Sequence, residues 1–179
     1  MTITRIAALV GALCLAQTAS GAVDTFLCVT DPPIPGPVTE PKFRDCSLVQ
    51  GWSEADFLDG PTVEARDLRV GKAVDRASLP LQAAFVNGTV LGQMAIKVRR
   101  AGGAPADPHL IVRLLDTQVT SYGLELVNDA SFRESLSLRP SRLEYTYFKQ
   151  RQDGSLITPP FAQMCWDLAA GATTTGPCP

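Results

Sequence analysis

Apolar and polar residues alternate in steps of two through most of this chain, and this alternation restricts the fold more than any other feature. In Leu91–Arg100, for example, Met94, Ile96 and Val98 alternate with polar neighbours. Successive side chains of a β-strand point to opposite faces, so the pattern predicts a strand with one buried face. Similar segments recur along the chain with turn residues between them. We therefore predict a mainly β protein in the form of a small barrel or sandwich.

One segment breaks the alternation and has the features of a short helix. Ser78 stands at its start, Pro80 follows within the first turn, and Gly88 ends it. Ser78 can cap the N-terminus, proline is tolerated in the first turn, and glycine can adopt the left-handed conformation that ends many helices. Leu81 and Phe85 are four residues apart and lie on one face, so we expect them to dock this helix on the sheet.

The apolar residues that share a face in these segments form the predicted core. The alternation places one set of them on a buried face of each strand, and the segment 110–122 carries apolar residues on both faces, which predicts cover on both sides. The core candidates are Phe85, Met94, Ile96, Val98, Val112, Leu114, Leu136, Leu138 and Trp166.

The first 22 residues have the pattern of an export signal. Arg5 is followed by the apolar stretch Ile6–Ala16, and small residues continue up to Ala22. That order is typical of a cleavable signal peptide, and the stretch is shorter than the roughly 20 residues that cross a bilayer. We expect cleavage after Ala22, or after Gly21, and a periplasmic or secreted product with no integral membrane segment. A misassigned start codon and a buried N-terminal helix are the alternatives.

Four cysteines remain after such cleavage: Cys28, Cys46, Cys165 and Cys178. An even number of cysteines in an exported chain is typical of disulfides. Three pairings are possible, and the local one joins Cys28 to Cys46 and Cys165 to Cys178. It would clamp the proline-rich segment 31–41 and tie the Gly/Thr/Pro-rich tail, residues 169–179, to the last strand. Free thiols are an alternative, whereas zinc is disfavoured because the sequence has no Cys-x-x-Cys motif.

Charge and side-chain chemistry predict no nucleic-acid partner, no cofactor, no metal and no enzyme activity. Lys and Arg total 16, Asp and Glu total 18, and the two signs are interspersed, so no basic face is expected. The one histidine, His109, stands at the start of a predicted strand, and the chain has no Gly-x-Ser-x-Gly motif. A general base needs a positioned partner, which the sequence does not offer to His109.

A series of segments between Val63 and Leu168 follows a recognisable order. The segment 63–78 leads into the helix that ends at Asn87-Gly88, and further segments follow. These are Met94-Ala-Ile-Lys-Val-Arg-Arg-Ala-Gly-Gly103, Leu110-Ile-Val-Arg-Leu-Leu-Asp-Thr-Gln-Val-Thr-Ser121, Glu134-Ser-Leu-Ser-Leu138, Tyr145 to Gly154, and Trp166-Asp-Leu168. The ordered set resembles the haemolysin co-regulated protein (Hcp) family, which supplies the tube subunits of type VI secretion.

The resemblance implies that residues 23–168 form a β-barrel of two packed antiparallel sheets with one short α-helix on its flank. It also implies a non-catalytic assembly subunit associated with type VI secretion, whose copies join in hexameric rings or bind other proteins of the secretion machine. The proline-rich region 31–62 departs from the family pattern. A monomeric, disulfide-stapled binding module on the same barrel, in the periplasm or outside the cell, is the alternative function.

Overall fold

A computed structural model describes residues 22–54, 56–59, 62–65, 67–101, 107–128, 131–151 and 153–179. The predicted leader lies outside these residues, except for Ala22. The strands are β1 Val23–Asp31, β2 Pro33–Ile34, β3 Ser47–Ser53, β4 Asp56–Asp59, β5 Thr62–Ala65, β6 Leu68–Ala73, β7 Val90–Arg100, β8 Leu110–Asn128, β9 Ser131–Arg139, β10 Arg142–Tyr147, β11 Ala162–Asp167 and β12 Ala172–Thr175. The helix α1 is Ser78–Asn87, and Pro41–Phe43 forms a single 3-10 turn.

Six strands close a barrel, and three more extend it to one side. Around the barrel the order is β8, β7, β1, β3, β6, β9 and back to β8, and the described strand pairs are antiparallel. The long strand β8 pairs with β10 over Leu110–Leu115 and with β9 over Gln118–Asn128. It therefore belongs both to the barrel and to a side sheet of β10, β11 and β12. The predicted fold class, a mainly β barrel with one short α-helix, is confirmed.

The core fills the barrel, and register explains its composition. Leu27, Ile96 and Val112 lie side by side across β1, β7 and β8, and all three are buried. Full burial of such a side chain stabilises the fold by about 1.5–3 kcal/mol. The other core candidates on strands are also buried, apart from Trp166, which is partly buried against the same cluster. The buried candidates are Met94, Ile96, Val98, Val112, Leu114, Leu136 and Leu138.

Two expectations about α1 need correction. Ser78 does not cap the helix: the N-cap position is Ala77, and the Ser78 hydroxyl accepts from Lys72 Nζ and the backbone N–H of Asp75. Phe85 is not in the core but 37% exposed, because Leu81 and Ala84 form the face that packs on the barrel. Gly88 does end the helix at φ 63°, and its N–H donates to the carbonyls of Ala84 and Phe85.

Strands also occupy the proline-rich segment, the region before β6 and the tail. A two-residue strand, β2, lies within the proline-rich segment, where it pairs with the end of β1. A separate hairpin, β4–β5, precedes β6 along the chain. The tail includes β12, which extends the side sheet through its pairing with β11.

Candidate interaction surfaces

Among the described residues, His109 has no partner of the kind that a general base requires. Its backbone N–H donates to the Val98 carbonyl, and its ring meets Tyr147 edge-on with centroids 6.5 Å apart. Nδ1 is buried and has no hydrogen-bond partner among the described residues. Burial and the nearby positive charge of Arg100 lower the pKa of His109, so the ring is neutral at neutral pH. This environment fits a packing role.

The described residues form neither a cluster of metal ligands nor a helix that could span a membrane. No group of three or more His, Cys, Asp or Glu side chains in those parts of the chain is close enough together to hold a metal ion. The ten-residue α1, the one α-helix of the described ranges, falls short of the length that crosses a bilayer. The surface features that remain are patches of apolar side chains and two stapled segments.

The first apolar patch, which we call the hairpin face, lies at the tip of the β8–β9 hairpin. Leu126 is the cross-strand partner of Phe132, and Leu124 is the partner of Glu134. Cross-strand partners share a face, and Glu134 points into the barrel, so these side chains continue the interior face. Pairing of β6 with β9 ends at Arg133, so beyond that point β9 pairs with β8 alone among the described strands. Leu124, Leu126 and Phe132 are each more than half exposed.

The second patch, which we call the helix face, lies on the outer side of α1. Leu79 and Val86 are seven residues apart, which places them on the same side of the helix two turns from each other. Both are more than two-thirds exposed, and Val90, just beyond the helix, is more than half exposed. Polar residues normally occupy the outer side of a surface helix. An apolar outer side is therefore a feature of an interaction surface.

A cavity of about 430 Å³ lies where the barrel meets the side sheet. Val90 belongs both to the cavity lining and to the helix face. The charged residues of the cavity lining have partners within the chain. Arg139 Nε donates to Asp67 Oδ1 at 2.7 Å, and Asp116 Oδ2 accepts from Arg142 at 2.9 Å. The cavity is lined by Val90, Asp116, Gln118, Arg139, Pro140, Ser141, Leu168 and Ala169.

An ion pair inside the barrel fixes the base of the hairpin and the start of α1. Lys72 Nζ lies 2.5 Å from Glu134 Oε1, and neither side chain is exposed. Lys72 also pairs with Asp75 at 2.8 Å and donates to Ser78, which explains why that hydroxyl does not cap the helix. Tyr122 donates to Glu134 Oε2 at 2.8 Å, and burial together with this bond raises the pKa of Tyr122 to about 12.

The proline-rich segment is held by what we call the clamp: Cys28, Cys46, Phe26, Phe43 and Arg99. The Cys28–Cys46 disulfide is buried, and the rings of Phe26 and Phe43 stack with centroids 4.1 Å apart. The Arg99 guanidinium lies about 5 Å from both ring centroids, and it pairs with acidic groups on either side. The segment approaches so closely at position 36 that any Cβ there would clash with the backbone of Cys46, so glycine is required.

The end of the chain forms what we call the C-terminal cover, residues 172–179. Cys178 is joined to Cys165 by a disulfide, and its backbone N–H donates to Glu144 Oε2 at 3.0 Å. Glu144 is buried, and its other oxygen accepts from Arg113 at 2.9 Å. The cover is therefore held by the β12 pairing, a disulfide, a hydrogen bond to a buried carboxylate and a hydrogen bond from Arg142 Nη1 to the Pro179 carbonyl at 2.8 Å.

Comparison with known proteins decides the family. Residues 26–147, more than half of the chain, match the family described as "Type VI secretion system effector, Hcp". The chain belongs to the Hcp family. The predicted resemblance is thus confirmed, and the C-terminal cover lies beyond the matched segment. No curated protein sequence matches this Hcp chain significantly.

Solved structures show the same fold. One, titled as a type six secretion system protein, superposes with a TM-score of 0.74 at 20% identity, covering 86% of this chain and 100% of that one. Hcp1 from Salmonella typhimurium superposes with a TM-score of 0.69 at 21% identity, covering 86% of this chain and 99% of that one. The secreted protein Hcp3 from Pseudomonas aeruginosa superposes with a TM-score of 0.58 at 15% identity, covering 87% of this chain and 99% of that one. At these identities the likeness concerns the fold alone.

Sequence reasoning located the cysteines but missed the buried ion pair. The local disulfide pairing, one of the three left open, is the one present. Lys72 and Glu134 were not singled out, although a signal existed, because Glu134 shares a strand face with Leu136 and Leu138. A charged residue on an apolar face predicts a buried partner. The exposed apolar residues of the hairpin face and the helix face were also missed, since alternation alone does not show where a barrel wall ends.

Proposed function

We propose that this Hcp protein is an exported, non-catalytic assembly subunit associated with type VI secretion, whose copies contact one another through the hairpin face and the helix face. One observation carries the proposal: the fold leaves two apolar faces uncovered although its interior is closely packed. Apolar surface of this kind on a small domain is typical of contact with another protein.

The arrangement of the two faces favours head-to-tail contact between copies. The hairpin face continues the barrel interior, whereas the helix face lies on the outer side of α1, so they are different surfaces. A contact between two different faces repeats from copy to copy and closes a ring when the rotation allows. A ring of six, as the family resemblance implies, is the expected form.

The disulfides support an oxidising location. Both form within the chain, and such bonds persist in the periplasm and outside the cell but are rare in the cytosol. The predicted leader, with cleavage after Ala22, would deliver the chain there. Mass spectrometry of the mature N-terminus tests export: we expect Val23 as the first residue, and a retained Met1 would contradict it.

A monomeric binding module is the second candidate function. The observation in its favour is the cavity of about 430 Å³ beside the side sheet, since a pocket of this size can accept a side chain or small ligand of another molecule. Leu168 and Ala169 of the pocket lining lie just before the C-terminal cover along the chain, so the cover would then help to hold this side of the pocket.

Light scattering on the mature, oxidised protein separates the two functions. We expect a multimer for the unmodified chain, and a shift towards monomer for Leu126→Asp and for Val86→Asp, because each places a charge within a contact. Leu48→Asp is the matched control, since Leu48 is about half exposed on β3, away from both faces. An unmodified chain that stays monomeric at all concentrations would favour the binding module. Any enzyme activity that disappears with His109→Ala would contradict the non-catalytic role.

A further inference from the structure

The C-terminal cover is attached to an edge of the side sheet rather than built into it. β12 pairs with β11 over Ala172–Thr175, and among the described strands no other pairs with it. All four of its side chains are exposed. The cover contributes no buried apolar side chain of β12, so its attachment depends on backbone pairing, the Cys165–Cys178 bond, the bond from Cys178 to Glu144 and the bond from Arg142 to the Pro179 carbonyl.

The two disulfides differ in how well a thiol can reach them. Cys28 and Cys46 are 4% and 2% exposed beneath the stacked rings of the clamp, whereas Cys178 is partly exposed at the surface. Exchange begins when a thiolate reaches a disulfide sulfur, so access controls the rate. Cys165 is only 3% exposed, so Cys178 is the disulfide cysteine that an external thiol can approach most easily.

If the cover detached, the edge of β11 that now pairs with β12 would be left unpaired. The backbone groups of β11 from Met164 to Asp167 would lose their partners, and Glu144 would lose the N–H of Cys178. An unpaired strand edge is a template for another strand. The segment shown to fit this edge is β12 itself, in a register that brings Cys178 beside Cys165 and its N–H beside Glu144.

We propose that the C-terminal cover exchanges between copies of the chain, so that β12 of one copy pairs with β11 of a second and an intermolecular Cys165–Cys178 bond seals the contact. The exchanged and closed forms have the same contacts within the sheet and differ at the turn 168–171. That turn is held by Gly171 at φ 62° and by the Ala170 N–H, which donates to Asp167 at 2.9 Å. Exchange of an identical element needs no new complementary surface.

The covalent step is balanced without a net oxidant or reductant. The thiolate of a small thiol attacks the Cys178 sulfur, the bond to Cys165 breaks, and Cys165 leaves as a thiolate. Cys165 of the second copy, opened in the same way, then attacks the mixed disulfide on Cys178 and releases the small thiol. Two intramolecular bonds become two intermolecular bonds, and the small thiol acts as a catalyst.

The exchange is independent of ring assembly, because it rests on the cover and not on the hairpin face or the helix face. The light-scattering measurement contains no thiol and reports non-covalent assembly. Covalent exchange is measured after thiol treatment, so each proposal can fail while the other stands.

An isotope-mixing experiment tests the exchange. Equal amounts of unlabelled and ¹⁵N-labelled mature protein are incubated with reduced and oxidised glutathione, then quenched with acid. Cleavage after Trp166 or Leu168 separates Cys165 from Cys178 along the chain, and mass spectrometry reads which chains the linked peptides came from. Among Cys165–Cys178 peptides from exchanged dimers, we expect about half to join a light and a heavy chain, as random pairing of identical elements requires. We expect the Cys28–Cys46 peptides to stay unmixed.

Two results would overturn the proposal. If Cys178 becomes reactive to an alkylating reagent but no mixed peptide forms, the cover opens and returns to its own chain. If Cys178 never becomes reactive, the small thiol does not open the Cys165–Cys178 bond. The double variant Cys165→Ser, Cys178→Ser should form no covalent dimer on a non-reducing gel. The double variant Cys28→Ser, Cys46→Ser should still form one. The unmixed Cys28–Cys46 peptide of the unmodified chain serves as an internal control if the second pair folds poorly.

Discussion

The barrel with its clamp and the C-terminal cover each contain a disulfide and a buried glutamate, but in different surroundings. In the barrel, Glu134 faces Lys72 and both are fully buried. At the cover, Glu144 is buried but its partner Arg113 is 44% exposed, and its second partner is the backbone of a terminal segment. The Cys28–Cys46 bond is buried, while Cys178 is partly exposed.

The comparison shows that the accessibility of a buried glutamate's partner decides whether the glutamate fixes the structure permanently or allows a segment to leave. A buried carboxylate whose partners are all inside cannot exchange them, so Glu134 fixes the start of α1 and the base of the hairpin. A buried carboxylate with one partner on a detachable segment marks a place where that segment can leave and be replaced. The following predictions test this contrast, from the largest expected effect to the smallest.

Removal of the buried cation should have the largest effect. Lys72→Met leaves Glu134 buried without its ion-pair partner, and we expect a loss of about 3–5 kcal/mol in the free energy of unfolding, measured by chemical denaturation. Arg113→Met, the same kind of change at Glu144, should cost less than about 1 kcal/mol because Arg113 is largely solvated. Equal costs for the two variants would remove the contrast between the regions.

Removal of each disulfide should lower the free energy of unfolding by a different amount, although the two disulfides close loops of similar length. The paired cysteines are 18 and 13 residues apart, and chain entropy alone predicts about 3 kcal/mol for either. We expect that full cost for Cys28→Ser with Cys46→Ser. For Cys165→Ser with Cys178→Ser we expect less than about 1 kcal/mol in the barrel transition, because the cover detaches locally before the barrel unfolds. A matching loss of 3 kcal/mol would show that the cover is part of the cooperative unit.

Weakening the Glu144 contact should loosen the cover and leave the barrel unchanged. Glu144→Gln keeps an acceptor for the Cys178 N–H but removes the charge, which costs about 1 kcal/mol in the attachment of the cover. That corresponds to an increase of about fivefold in the open population, and hence in the rate at which glutathione reduces Cys165–Cys178. The reduction rate of Cys28–Cys46 is the control, and a change in both rates would contradict local opening.

Alkaline titration should show the smallest effect on stability and should arise from the barrel interior. The pKa of Tyr122 is raised to about 12 by burial and by its bond to Glu134, against about 10 in the unfolded chain. The folded state therefore holds this proton longer, so the stabilisation is complete below pH 10 and is lost as the pH rises towards 12. The effect is modest because the ring is partly exposed. Tyrosinate absorbance should lose the component that titrates near pH 12 in Tyr122→Phe, and an unchanged curve would contradict the assignment.

The fold was largely predictable because local rules and barrel topology agree. Alternation in Leu91–Arg100 identifies β7 and its inward residues, and Gly88 marks the end of α1. Phe85 and Ser78 show the limit of such rules. Which side of a ten-residue helix faces the barrel depends on long-range packing, and the Ser78 hydroxyl is occupied by Lys72, a residue whose burial no local pattern reveals.

The candidate interaction surfaces were less predictable for a physical reason. Leu124, Leu126 and Phe132 have the pattern of core residues, but they are exposed, and the hairpin extends beyond the end of the β6–β9 pairing. Strand length relative to its neighbours is a property of the whole sheet. The cysteine pairing, by contrast, joins the cysteines that are nearest in the chain, and it is one of the three pairings that the sequence left open.

Native mass spectrometry of the mature, oxidised protein, without thiol and over a range of concentrations, tests most directly whether this Hcp barrel works by contact between copies. The account predicts a non-covalent assembly whose mass is a fixed multiple of one chain, with six copies expected, and which Leu126→Asp disrupts. A mass of one chain at every concentration would contradict it.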